Sequence, residues 1–169
     1  MRCATCGEEH DWSTMEPSFD RPDAYHEIPE YERSARALAG KSDCRIRDLE
    51  DTERRFFLRV LLPIPILGES VVCNWGLWAE VSEADFQRAW DLWEDPHQAG
   101  EPPFPGFLAN AVAGYPPTIG LAGIVQLTGP DTAPQFRFAP EVDHPFAVEQ
   151  RTGVYPERRL EWLMSRIHT

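Results

Sequence analysis

Arg54-Arg55-Phe56-Phe57-Leu58-Arg59-Val60-Leu61-Leu62-Pro63-Ile64-Pro65 and, after a short gap, Val71-Val72-Cys73-Asn74-Trp75-Gly76-Leu77-Trp78-Ala79-Glu80-Val81 decide the fold of this chain. In the first run Phe56, Leu58, Val60 and Leu62 alternate with Phe57, Arg59 and Leu61, and Pro63 and Pro65 are expected to close it. A period of two marks a strand whose side chains point alternately to its two faces. The second run puts Val71, Cys73, Trp75, Leu77, Ala79 and Val81 on one face, with Val72, Asn74, Gly76, Trp78 and Glu80 on the other. Leu67-Gly68-Glu69-Ser70 supplies turn residues between them, so the two strands are expected to be antiparallel neighbours.

Downstream, Ser82-Glu83-Ala84-Asp85 resembles a capping box, with the serine oxygen accepting the third backbone N–H of a helix. That helix is expected to reach about residue 94, with Phe86, Ala89, Trp90 and Trp93 as its apolar stripe. Residues 95–117 are rich in Pro and Gly and predict a long loop with one helical turn at 106–111. A second strand pair is expected at 119–128 and 135–140, then a short helix at 145–151. A final amphipathic helix starts at Pro156, with Leu160, Leu163, Met164 and Ile167 on one face. Upstream, residues 1–54 are polar and irregular, with a helix expected over 30–39 and an extended segment from Asp43. The pattern predicts an α+β fold: an antiparallel sheet built from hairpins, a few packed helices and an irregular N-terminal part resembling a zinc knuckle. Residues 1–169 read as a single domain, with 1–54 as the irregular part and 55–169 as the core.

A length of 169 residues suits one core, and 42% hydrophobic residues with six Trp and nine Phe mark a globular chain. Twenty-eight acidic against 16 basic residues give a formal charge of −12. Such a surface repels a polyphosphate backbone, which argues against nucleic acid, and attracts basic proteins. No apolar leader or membrane-length run is present in the sequence, so the expected location is the cytoplasm, without a membrane partner. There, four cysteines read as thiols or metal ligands and not as disulfides.

The N-terminus carries Cys3-Ala4-Thr5-Cys6-Gly7-Glu8-Glu9-His10. Two cysteines two residues apart hold two thiolates in one tight turn, half of a tetrahedral zinc site. Cys44, between Asp43 and Arg45, is a candidate second arm, and His10 is close enough to Cys6 to reach the same ion. The expected structural zinc site is therefore Cys3, Cys6, His10 and Cys44, since mixed sulfur and imidazole donors suit zinc better than Mg²⁺ or Ca²⁺. Cys73, on the apolar face of its strand, reads as core. No strand precedes Cys3, which weakens a redox reading of the pair.

Two further features are candidate pocket or partner sites. Asp143-His144-Pro145 precedes Glu149-Gln150-Arg151, a grouping that could orient a base, or could simply cap a helix through Asp143 with Pro145 in its first turn. Trp78 lies on the less apolar strand face, where it is a candidate to line a pocket.

The series Cys3-x-x-Cys6-Gly7-x-x-His10, Pro22-Asp23-x-Tyr25, Glu32-Arg33, Asp43-Cys44, Trp75-Gly76-x-Trp78 and Asp143-His144-Pro145 with Glu149-Gln150-Arg151 resembles the bacterial domain-of-unknown-function family 2199, from about Cys3 to Gly153. The resemblance implies no activity, but it marks Cys3, Cys6 and Cys44 as features of the type; Cys73 departs from it. Three functions compete: a zinc-stapled binding module, an immunity-type acidic protein that neutralises a basic partner, and a hydrolase-like enzyme using His144.

Overall fold

The computed structural model describes residues 15–167. Helices α1 (Asp23–His26) and α2 (Arg33–Arg36) flank a 3-10 turn at Glu30–Glu32. Strands β1 (Ala37–Ala39), β2 (Asp43–Arg47), β3 (Arg54–Pro65) and β4 (Val72–Val81) follow. Then come α3 (Glu83–Asp91), β5 (Phe104–Leu108), β6 (Ala122–Gln126), β7 (Gln135–Phe138), α4 (Pro145–Thr152) and α5 (Pro156–Ile167). The fold is α+β, and its sheet is a closed five-strand barrel: β3 to β7 run as an antiparallel meander, and β7 returns parallel to β3, with Gln135 opposite Leu61. The hairpin β1–β2 continues the sheet beyond the barrel on the first half of β3.

β3 and β4 pair along ten residues, from Phe56 opposite Val81 to Pro65 opposite Val72, which is the antiparallel hairpin that alternation predicts. β3 runs through its prolines instead of stopping at Pro63. The N–H groups of Arg59 and Leu61 point away from β4, to Ser42 and Pro134. Pro63 and Pro65 continue that same alternate set, past the one residue that pairs with β7, so their missing N–H groups leave the β4 ladder whole.

The stretch expected to hold a helical turn at 106–111 is instead the end of β5 and the loop after it. Gly106 and Gly123 explain this. A Cβ on Gly106 would meet the Val125 side chain at 2.8 Å, and one on Gly123 would meet the Phe136 ring at 2.3 Å. Both glycines leave room for larger side chains, since a small barrel fills its interior by setting small residues against large ones. The helix expected over 30–39 ends at Arg36, because 37–39 pair with β2.

Ser82 caps α3 as expected, its Oγ accepting the Asp85 N–H at 3.1 Å. Phe86 and Ala89 are buried, while Trp90 stays half-exposed. One end of the barrel is closed by α4 and α5. Trp75 meets Phe146 at 5.7 Å and Trp162 at 5.5 Å between ring centroids, and Phe146 also packs on Phe138 and Tyr115.

Candidate functional site

Cys3, Cys6 and His10 lie outside the described residues. Among the described residues no three His, Cys, Asp or Glu side chains gather as a metal site. Cys44 and Cys73 are both buried free thiols, and burial pushes each up to about 11. Cys44 stands opposite Phe57 and Cys73 opposite Ile64, seven positions apart on β3. At roughly 3.3 Å per residue, about 23 Å of strand separates them, so one ion cannot take both.

The segment that begins at Met15 is strapped to the barrel. Glu16 accepts from both the backbone and the side-chain N–H of Asn74, at 3.0 and 2.9 Å. Gly76 donates to Pro17 O and accepts from Phe19 N–H, which adds residues 17–19 to the free edge of β4. From α5, Arg159 donates to Met15 O and Arg166 to Ser18 O. Met15 and Glu16 are thereby fixed at the Cys73 end of β4.

His144 is the N-cap of α4. Its Nδ1 accepts the Phe146 N–H at 3.1 Å and its Nε2 faces Pro116 O at 3.2 Å, so an imidazole protonated on Nε2 satisfies both contacts. Asp143, the expected cap, is exposed. Glu149 joins a different network: it accepts from the Tyr115 hydroxyl and, at 3.0 Å, from Arg158 Nε, while Trp162 Nε1 donates to Tyr115 Oη at 2.9 Å. Burial, and then the Glu149 carboxylate, raise the Tyr115 phenol well above its ordinary range. Arg151 is exposed and donates to Val142 O. His144, Glu149 and Arg151 lie on α4 or cap it, but each is committed to a separate structural contact.

Trp78 is fully enclosed, its indole N–H donating to Phe19 O at 3.3 Å. The less apolar face of β4 is covered by the strapped N-terminal segment and by the loop at Asn110, which hydropathy along one strand does not reveal. Asn110, fully buried, accepts the Trp78 N–H and donates to Arg21 O and to Asp23 Oδ1. Asp23 Oδ2 accepts from Ala111 N–H. In the Pro22-Asp23-x-Tyr25 series, Asp23 thus ties the N-terminal part to the loop after β5. Tyr25 sits beneath Arg21 and Arg33, 5.8 and 5.2 Å from its ring centroid.

The concave surface that sequence reading missed lies on the β1–β2 extension, a cleft of about 360 Å³ lined by Leu38, Arg36, Arg45, Arg47, Asp51 and Arg54 among others. Leu38 stands opposite Arg45, and Arg45 opposite Phe56, so all three share one face of the sheet. In the next row Arg47 stands opposite Arg54. Asp51, at φ 55° in the turn between β2 and β3, sets its carboxylate between them. It accepts from Arg54 Nε and Nη2 at 2.8 and 2.7 Å and lies 3.7 Å from Arg47. The only sequence signal was the run of arginines at 45, 47, 54 and 55, and without the strand register it did not converge on one place.

Fold and site define a small α+β barrel protein with an arginine-lined cleft beside the barrel. The chain belongs to domain-of-unknown-function family 2199, described as an uncharacterized protein conserved in bacteria, whose model matches residues 2–154. Comparison with curated proteins and with solved structures returns no match. No helix among the described residues is long and apolar enough to cross a membrane.

Proposed function

We propose that this protein is a cytoplasmic binding module whose N-terminal knuckle holds one structural zinc ion and presents the N-terminal segment to a partner. The observation that supports it is the strapping of residues 15–19 onto β4 and α5, which begins five residues after His10. A metal there would lock a segment already anchored to the barrel, and a site filled by four protein ligands contributes folding free energy and not chemistry. Cys3, Cys6 and His10 are three of the ligands. Cys44 is the fourth by its polar neighbours Asp43 and Arg45, whereas the anchoring of Met15 and Glu16 favours Cys73. Either thiol, raised by burial, would ionise only with the metal's help.

Elemental analysis of the purified chain tests this, with about one zinc per chain expected. Loss of the metal in Cys44→Ala and its retention in Cys73→Ala assigns Cys44; the reverse assigns Cys73. A zinc-free protein, or melting unchanged after verified chelation, overturns the staple.

The charge of −12 supports a second reading, an immunity-type partner that neutralises a basic protein. It requires that a basic protein be captured from the native host in a salt-sensitive manner; capture insensitive to salt counts against it.

A further inference from the structure

In a chain with a net charge of −12, four arginines converge on one cleft of about 360 Å³, close to the lower size of small-molecule sites. Two carboxylates lie within ion-pair distance of them. Glu32 takes Arg36 at 2.8 Å, and Asp51 is shared by Arg54 and, at a looser 3.7 Å, Arg47. Arg45 has neither an ion pair nor a hydrogen bond among the described residues. Its guanidinium lies over Phe86 and Trp90, 5.4 and 5.3 Å from their ring centroids, and its Nε is shut off from solvent without an acceptor. Stacking fixes the plane of that group, and its two terminal nitrogens, which unlike Nε are not shut off from solvent, hold no acceptor among the described residues. Leu38, 66% exposed on the same face, adds an apolar wall beside the charge.

The four guanidiniums outnumber the two carboxylates that pair with them directly, while Asp43 beside Arg45 and Glu83 near Arg54 act on them at longer range. A phosphate monoester, with close to two negative charges at neutral pH and three acceptor oxygens, meets several guanidinium forks at once, whereas a carboxylate offers two oxygens and one charge. We propose that the cleft is a binding site for a phosphate monoester, its dianionic group held by Arg45, Arg47 and Arg54 and its apolar substituent resting on Leu38. The arginines gather on one face of a chain that is acidic as a whole, so a small phosphate ester meets cationic donors here where an extended polyphosphate also meets the acidic surface around them. The site needs no metal.

Calorimetric titration of the full chain with phenyl phosphate, with benzoate and with a phosphoserine pentapeptide tests the assignment. Phenyl phosphate is expected to bind saturably, more weakly as salt rises, and about tenfold or more tighter than benzoate. Arg45→Met should weaken it by about tenfold or more. Leu38→Glu, a change at an exposed position that leaves the core alone, should do the same by bringing a negative charge to the cleft. Asp51→Asn removes the competing carboxylate at a position where asparagine also accepts a positive φ, and should tighten binding. Arg137→Gln, on β7, should change nothing. Binding of the phosphopeptide but not of phenyl phosphate assigns the ester to a protein side chain and keeps the chemistry; the opposite assigns it to a free metabolite. No saturable binding of either phosphate, benzoate binding as tightly, or binding unaffected by Leu38→Glu overturns the proposal.

Discussion

The side-chain oxygen of Asn110 accepts the backbone N–H of Trp78 at 2.8 Å, at a point where neither residue has contact with solvent. The amide nitrogen of Asn110 donates to Arg21 O and Asp23 Oδ1, each at 2.9 Å, and the backbone carbonyl of Asn110 accepts from the Thr118 hydroxyl at 2.6 Å. One buried amide thus joins the barrel, the N-terminal part and the loop after β5.

Asn110→Leu should therefore cost about 2 kcal/mol or more, since it orphans a buried N–H and a carbonyl together. Urea unfolding followed by tryptophan fluorescence measures it. A loss under about 0.5 kcal/mol, the range of an ordinary surface change, would mean that water replaces the amide.

Tyr115→Phe removes one oxygen that accepts from Trp162 and donates to Glu149. The expected loss is about 1–3 kcal/mol, with Arg158 left to hold Glu149 alone. Thermal unfolding in parallel with Glu149→Gln gives the coupling: the double variant should lose less than the sum of the singles.

His144→Ala should destabilise by about 1 kcal/mol through loss of the cap on α4, and His144→Asn should recover most of it, because asparagine caps well. Recovery by asparagine identifies the imidazole as a capping group. A loss equal in both variants points to its contact with Pro116 instead.

Gly123→Ala brings a methyl group against the Phe136 ring and against Arg137 O at 2.5 Å. Overpacking of this kind typically costs about 1–3 kcal/mol. Denaturant titration of Gly123→Ala beside Gly100→Ala, where a Cβ meets nothing within 4 Å, separates crowding from the general effect of the substitution.

Stability should fall as pH rises from about 9 to about 11 in metal-free protein. Both buried thiols titrate near 11 when folded and near 9 when unfolded, so the unfolded chain releases its protons first and alkali favours it. Below about 9 the contribution is fully present. In the variant Cys73→Ala the slope of stability against pH across that window should shrink; an unchanged slope in both Cys73→Ala and Cys44→Ala would assign the alkaline loss to other groups, of which Tyr115 is the next candidate.

Alternation was enough to find β3, β4, β6 and β7, because a strand half-buried on each side writes its period into neighbouring residues. Capping chemistry likewise located α3 at Ser82, and proline in the first turn located α4 and α5. β5 escaped, since its Phe104-Pro105-Gly106 start carries turn residues whose purpose is to make room for Val125 and Phe136. Barrel closure escaped too. Leu61 and Gln135 are far apart in sequence and pair through a single parallel contact that no local pattern encodes.

The candidate sites divide along the same line. Sequence alone determined the net acidity and the family, because residue type and spacing carry those properties directly, and it is the sole source of the zinc ligands proposed at Cys3, Cys6 and His10. Tertiary structure decided that His144 is a cap, that Trp78 is enclosed, and that Arg36, Arg45, Arg47 and Arg54 share one cleft. Those outcomes depend on which strand edge stands opposite which, and strand pairing is settled by burial summed over the whole barrel, not by any one segment.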